Sequence, residues 1–165
     1  MAKESSFDVV STVDMQEVDN AFQQAKKELT QRYDLKATGA TIDLSKADAT
    51  ITVHAPSEFV ATQVIDVLNT RLVRRKVDLQ SLRWDKAQPA AGSTVRVVGH
   101  VVQGIDQDTA KRISKDIRDQ KLKCKATVEG DKLRVSSASK DVLQQVISFL
   151  RDQDYGQPLQ FVNYR

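Results

Sequence analysis

The sequence predicts an α+β protein made of two copies of one βαββαβ unit, each an antiparallel sheet with two helices on one face. Three observations predict it. The same order of strand-like alternation and helix-like spacing appears on both sides of a short polar segment, Asp85–Ser93 (DKAQPAAGS). The two halves align on each other without a gap when slid by 82 residues, Ile51–Leu68 onto Leu133–Leu150. Both central hairpins alternate apolar and polar residues, which gives each sheet one buried face and one free face.

The elements follow in order. FDVVS (Phe7–Ser11) reads as a short strand. A helix follows, capped by Asp14 with Glu17 placed for a capping box, its apolar stripe at Val18, Phe22, Ala25 and Leu29. TIDLS and TITVHA alternate as two strands across a turn at Lys46–Ala47–Asp48. Ser57 caps a second helix carrying Val60, Val64, Val67 and Leu68, and VDLQSLRW ends the unit as a strand. Beyond the linker, TVRVVGHVV is a strand, and Asp106 caps a helix with Ala110, Ile113 and Ile117 inward. The hairpin KCKATV–EG–DKLRVS is next, then a helix capped by Ser139 with Val142, Val146 and Leu150, and finally the strand PLQFVNYR.

Under the 82-residue shift, identities fall at Val53/Val135, Ser57/Ser139, Val60/Val142, Gln63/Gln145, Val64/Val146, Ile65/Ile147 and Leu68/Leu150. Most are core positions or helix caps, as expected of two ferredoxin-like units. The implied organisation is a first unit at 1–84, a linker at 85–93 and a second unit at 94–165.

Composition bounds the function. At 165 residues and 40% hydrophobic the chain can build a core, and no apolar run approaches the roughly 20 residues of a membrane span. The start, MAKESSFDVV, lacks the apolar stretch of a secretory signal. A single cysteine, Cys124, offers no internal disulfide and no metal cluster. A cytoplasmic protein with no metal, no cofactor and no membrane partner is expected.

Charge is unevenly placed. Residues 1–90 hold 12 Lys/Arg against 13 Asp/Glu, and residues 91–165 hold 13 against 9. Much of the excess lies in KLKCKATVEGDKLRVS (121–136). With a loop at Glu129–Gly130, Lys125 is expected opposite Arg134, so that Lys121, Lys123, Lys125, Lys132 and Arg134 share the free face. The corresponding face of the first unit carries Thr41, Asp43, Thr50, Thr52 and His54, so the scaffold does not demand cations there. Lysines on an edge strand also protect against edge-to-edge pairing, which accounts for Lys121 and Lys123. It accounts less well for Arg134 on a central strand. Like charges directly opposed cost a few tenths to about 1 kcal/mol, and a bound phosphate would relieve that cost. Neither central hairpin strand offers an aromatic for base stacking, which disfavours a conventional single-stranded RNA platform.

Catalytic signatures are sparse. Neither GxxxxGK[ST] nor a GxGxxG after a strand occurs. His54 and His100 have no ligand-spaced partners, and Cys124 alternates inward. The run Arg71–Lys76 (RLVRRK) suits a helix C-terminus. A non-enzymatic protein is expected.

The segments SFDVVSTVDMQEVDNA (Ser6–Ala21), QGID (Gln103–Asp106) and GQPLQFVNYR (Gly156–Arg165) resemble the YajQ family of bacterial proteins, over nearly the whole chain. The resemblance implies two ferredoxin-like units with exchanged N-terminal strands. Phe7–Ser11 would join the second sheet, bringing Asp8 to the basic face, and Thr94–Val102 the first, bringing Arg96 and His100 beside Thr52 and His54. It also implies nucleotide binding, with purine nucleotides, tRNA and cyclic di-GMP among the family's proposed ligands and signalling effectors among its members. It carries over no motif-level binding residues. The candidate nucleotide-binding residues are therefore Lys121, Lys123, Lys125, Lys132 and Arg134, with Arg96 and His100 through the exchange. Gln157, Gln160 and Asn163 are added as amides able to meet a base edge, and Tyr164 as a ring for stacking. The competing view of that last segment is an edge strand packing Leu159 and Phe161 on a helix.

The expected function is a cytosolic nucleotide sensor or effector that binds GTP, ATP or cyclic di-GMP and acts on RNA or a regulatory protein. The alternatives are a weak RNA- or tRNA-binding module and, third, a small phosphohydrolase.

Overall fold

The computed structural model describes residues 4–165 of the chain. It is α+β, with two antiparallel sheets, each covered on one face by helices. The strands are β1 (Ser5–Val10), β2 (Thr41–Ser45), β3 (Thr50–Ala55), β4 (Leu82–Trp84), β5 (Gln88–Ala90), β6 (Thr94–Val101), β7 (Lys125–Glu129), β8 (Lys132–Ser137) and β9 (Gln160–Val162). The helices are α1 (Met15–Gln31), α2 (Tyr33–Lys36), α3 (Glu58–Arg74), α4 (Gln107–Asp119) and α5 (Lys140–Arg151).

One sheet runs β7-β8-β1-β9 and the other β2-β3-β6-β4, with β5 also on β6. The compact units follow these sheets. One joins the segment up to Thr12 with Gln103–Arg165, and the other is Val13–Val102. Each has its own core. Phe7, Val9, Leu133 and Val135 meet Ile113, Ile117, Val146, Ile147 and Leu150 in one. Ile42, Ile51, Val53 and Val97 meet Phe22, Leu29, Val64, Leu68 and Leu72 in the other. Full burial of such side chains contributes about 1.5–3 kcal/mol each.

Local signals explain the helices. Asp14 and Asp106 cap α1 and α4, their carboxylates accepting first-turn N–H groups. Ser57 and Ser139, related by the 82-residue shift, cap α3 and α5 in the same way, accepting from Val60 and Val142. The Glu17 carboxylate instead accepts from Asn20 and lies 3.8 Å from Arg75.

Three segments differ from the expected pattern. The supposed linker lies within the unit Val13–Val102, where Gln88–Ala90 pairs with Thr94–Arg96 as β5. Its small residues and proline still permit an edge strand, because the outer side of an edge needs no ladder donors. VDLQSLRW yields only a three-residue strand, since Asp78 caps a 3₁₀ turn at Leu79–Ser81. The hairpin loop falls at Gly130–Asp131, with Glu129 opposite Lys132. Gly130 takes φ 62°, and a two-residue loop that starts on glycine meets the positive φ without a Cβ penalty.

Gly99 on β6 has a different reason. A Cβ there would lie 2.8 Å from the Trp84 ring, which packs across the strand. Gly99→Ala should therefore destabilise the protein by about 1–3 kcal/mol through overpacking. Thermal unfolding followed by the emission of Trp84, the chain's single tryptophan, measures both the loss and the ring's displacement.

Candidate functional site

The free face of the β7-β8-β1-β9 sheet is built by alternation. Lys125, Thr127 and Glu129 on β7, Lys132, Arg134 and Ser136 on β8, and Asp8 on β1 project away from the helices. Arg134 stands opposite Thr127 on one side and Asp8 on the other. Asp8 is only 1% exposed. Its Oδ1 accepts from Arg134 Nε at 3.2 Å, its Oδ2 accepts from Asn163 Nδ2 at 2.8 Å, and Lys132 Nζ lies 3.6 Å away. The Arg134 guanidinium also lies 3.6 Å from Glu129.

Burial alone would push the Asp8 carboxyl up. Bonds from Asn163 and Arg134, with the charges of Lys132 and Arg134, outweigh it and hold the group below its ordinary value of 3.8. Asp8 is thus a carboxylate at neutral pH, and Arg134 and Lys132 are partly neutralised and held in place by it.

The scaffold does not need this cluster. In the other sheet, the place of Arg134 is taken by Thr52 and that of Asp8 by Val98, which stand opposite each other. The surrounding core pairs, Phe7–Val135 and Val97–Val53, correspond. A neutral pair therefore suffices for the fold.

The C-terminal strand supplies the third partner through a bulge. Val162 pairs with Asp8, and Ser6 exchanges backbone bonds with Arg165, so Asn163 and Tyr164 together oppose Phe7 alone. Asn163 takes φ 59°, which asparagine tolerates better than most residues, and its side chain turns onto Asp8.

The sequence-derived candidates separate accordingly. Lys121 and Lys123 precede β7 rather than lying in it. Lys121 sits in the turn after α4, and the Lys123 carbonyl accepts from Ser137 Oγ at 2.7 Å. Both are exposed, as is Lys125. Lys125 stands opposite Ser136 and not Arg134, so the expected like-charge confrontation is absent; the loop shift of one residue is the reason. Among the described residues no carboxylate pairs with Lys125.

Arg96 and His100 are on β6 of the other unit, with Arg96 opposite His54 and His100 opposite Thr50. Arg96 donates to Gln88 and His100 lies 2.8 Å from Asp85. They are not part of the Asp8 cluster.

The terminal amides are engaged internally. Gln157 is buried and donates to the Gly104 carbonyl at 2.7 Å. Gln160 accepts from the Thr12 N–H at 2.8 Å and donates back to its carbonyl. Tyr164 is exposed and tilts against Phe7, while Phe161 meets Phe7 edge-on. Cys124 packs against the core, and burial raises its thiol pKa.

The family model described as "Nucleotide-binding protein YajQ-like" matches residues 5–165. A protein named "Nucleotide-binding protein" from Desulfitobacterium hafniense is 49% identical over 165 residues, the whole of both chains. Proteins of the same name from Chloroherpeton thalassium and Nocardia farcinica are 44% and 49% identical, over 100% of this chain and all of the former, and over 98% of this chain and 99% of the latter.

Replacement of Asp8 by Asn should cost about 1–3 kcal/mol at neutral pH, because an amide cannot accept from both Arg134 and Asn163 and turns a donor toward one of them. The folded-state pKa is depressed, so this contribution is present above 3.8 and is lost as pH falls through the lower native value. Thermal melts of both proteins should diverge at neutral pH and converge in acid.

Proposed function

Because the chain belongs to the YajQ family of nucleotide-binding proteins, we propose that it is a non-catalytic nucleotide-binding protein whose basic sheet face holds the ligand's phosphates. One observation carries this reading: five cations, Lys121, Lys123, Lys125, Lys132 and Arg134, gather on and beside a face bearing two carboxylates, Asp8 and Glu129. The balance on that face is positive, and among the described residues Lys125 has no carboxylate partner.

The roles follow from the bonding. Asp8 occupies the Nε of Arg134 and, with Glu129 3.6 Å from Nη2, fixes the guanidinium plane, so the N–H groups left over are presented with little rotamer freedom to lose. Lys132 adds charge beside it. Lys125, with Lys121 and Lys123 along the edge, supplies mobile ammonium groups for a second phosphate. GTP, ATP and cyclic di-GMP each carry more than one phosphate and suit such a spread. Neither hairpin strand offers an aromatic, so recognition falls on phosphate rather than base, which makes affinity salt-sensitive. No helix among the described residues is long and apolar enough to cross a membrane, and a cytoplasmic sensor that hands its liganded face to RNA or a regulatory protein is the role we favour.

Calorimetric titration with GTP, ATP, cyclic di-GMP and a short RNA tests this beside Lys123→Ala/Lys125→Ala, a variant that leaves the Asp8 cluster intact. One nucleotide should bind, and the variant should lose about tenfold or more in affinity, about 1.4 kcal/mol. Preference for RNA with a steep salt slope would favour the nucleic-acid module instead. Binding of every ligand unchanged in the variant would remove the basic face from the site.

A further inference from the structure

The two units differ in how the first helix reaches the second strand. In the unit Gln103–Arg165, α4 ends at Asp119 and β7 begins at Lys125. In the other, α1 ends at Gln31 and β2 begins at Thr41, and the longer connection holds the extra turn α2. This insertion is built rigidly. Leu35 is 1% exposed and anchors it in the core. Arg32 ties it to both sides, lying 3.6 Å from Glu28 and 2.9 Å from Asp34. Thr38 Oγ1 donates to the Leu35 carbonyl and accepts from the Ala40 N–H, and Gly39 at φ 75° turns the chain into β2.

Between the insertion, the end of α1 and the outer edge of β2 lies a cleft of about 620 Å³. Ligand sites commonly fall between about 300 and 1,000 Å³ and combine apolar lining with a few polar groups. The cleft is of that size and has both kinds of lining. Its apolar lining is Leu29, Ala37, Ala40 and Ile42, and its polar lining is the exposed Lys26, Thr30, Lys36, Thr41 and Asp43. Neither lysine has a carboxylate partner among the described residues; Lys26 lies 6.0 Å from the centre of the Phe22 ring.

We propose that this cleft is a binding site for a mononucleotide-sized organic anion with a flat, largely apolar body. The body rests on Ala37 and Ala40, over the buried Leu29 and Ile42, while Lys26 and Lys36 hold the anionic group and Asp43 accepts from donors on the body. A bare inorganic anion lacks the apolar contacts and binds far less well. The site lies in the unit Val13–Val102 and shares no residue with the basic face proposed above, so either can fail without the other.

Calorimetry with GMP, with inorganic phosphate as comparator, tests the proposal on wild type and Lys26→Glu/Lys36→Glu. Amide chemical-shift mapping of both accompanies it. GMP should shift the amides of Ala37, Ala40 and Ile42, and the affinity of the site that those amides report should fall about tenfold or more in the Lys26/Lys36 variant. Circular dichroism confirms that the variant is folded. Inorganic phosphate should not displace GMP at equal concentration. The proposal is overturned if GMP leaves those amides unmoved, if the folded Lys26/Lys36 variant binds as wild type does, or if phosphate alone competes equally.

Discussion

A carboxylate buried in the middle of a sheet constrains everything around it. Asp8 has almost no contact with water, and an unpaired charge in that position would cost several kcal/mol. Its ionised state therefore depends on Arg134 and Lys132 from β8 and on Asn163 beyond β9, three partners drawn from two stretches of chain. The N-terminal strand is thereby keyed to β8 in one register. A slip by one residue would turn Asp8 toward Leu133 and Val135 and expose Phe7 and Val9. The bulge at Asn163–Tyr164 belongs to the same arrangement, since a regular β9 would not place the Asn163 amide over Asp8.

The cluster also shapes the chemistry available to the face. A sheet surface with five unpaired cations would attract any polyanion and would carry its own repulsion. Asp8 and Glu129 remove part of that charge and convert Arg134 from a mobile arm into an oriented fork. The residual charge sits toward the β7 edge, at Lys121, Lys123 and Lys125. That edge placement lets the same lysines deter strand addition by another chain, so edge protection and phosphate contact are compatible duties of one set of side chains.

Much of the architecture was legible because it rests on short-range rules. Paired caps at Ser57 and Ser139, stripes such as Ala110–Ile113–Ile117, and the alternation of Ile42 and Leu44 against Val53 and Ile51 are local patterns with one reading. Val60 and Val142 sit at the margin of their stripes while Ala61 and Leu143 fill the cores, a shift of one position that periodicity alone does not resolve. The site was harder. The sequence alone sets Lys125 against Arg134 and not Ser136, because the loop position hangs on where Gly130 takes its positive φ. Gln157 and Gln160 look like free amides in sequence, yet their partners, Gly104 and Thr12, are remote along the chain. The Asp8–Arg134 pair spans 126 residues and was approached only through family resemblance. The turn α2 was missed for a simpler reason: four residues give no period, and only the burial of Leu35 shows its purpose.

The central claim is that Arg134, oriented by Asp8, meets the ligand's phosphate. The side-chain Nε–H resonance of Arg134 reports on it directly, because that hydrogen bonds Asp8. In nitrogen–proton spectra recorded during a titration with GTP, ATP or cyclic di-GMP, it should shift together with the amides of Lys125 to Lys132, to the same saturation point. An Nε–H signal that stays fixed while amides elsewhere saturate would contradict the claim and place the ligand off this face.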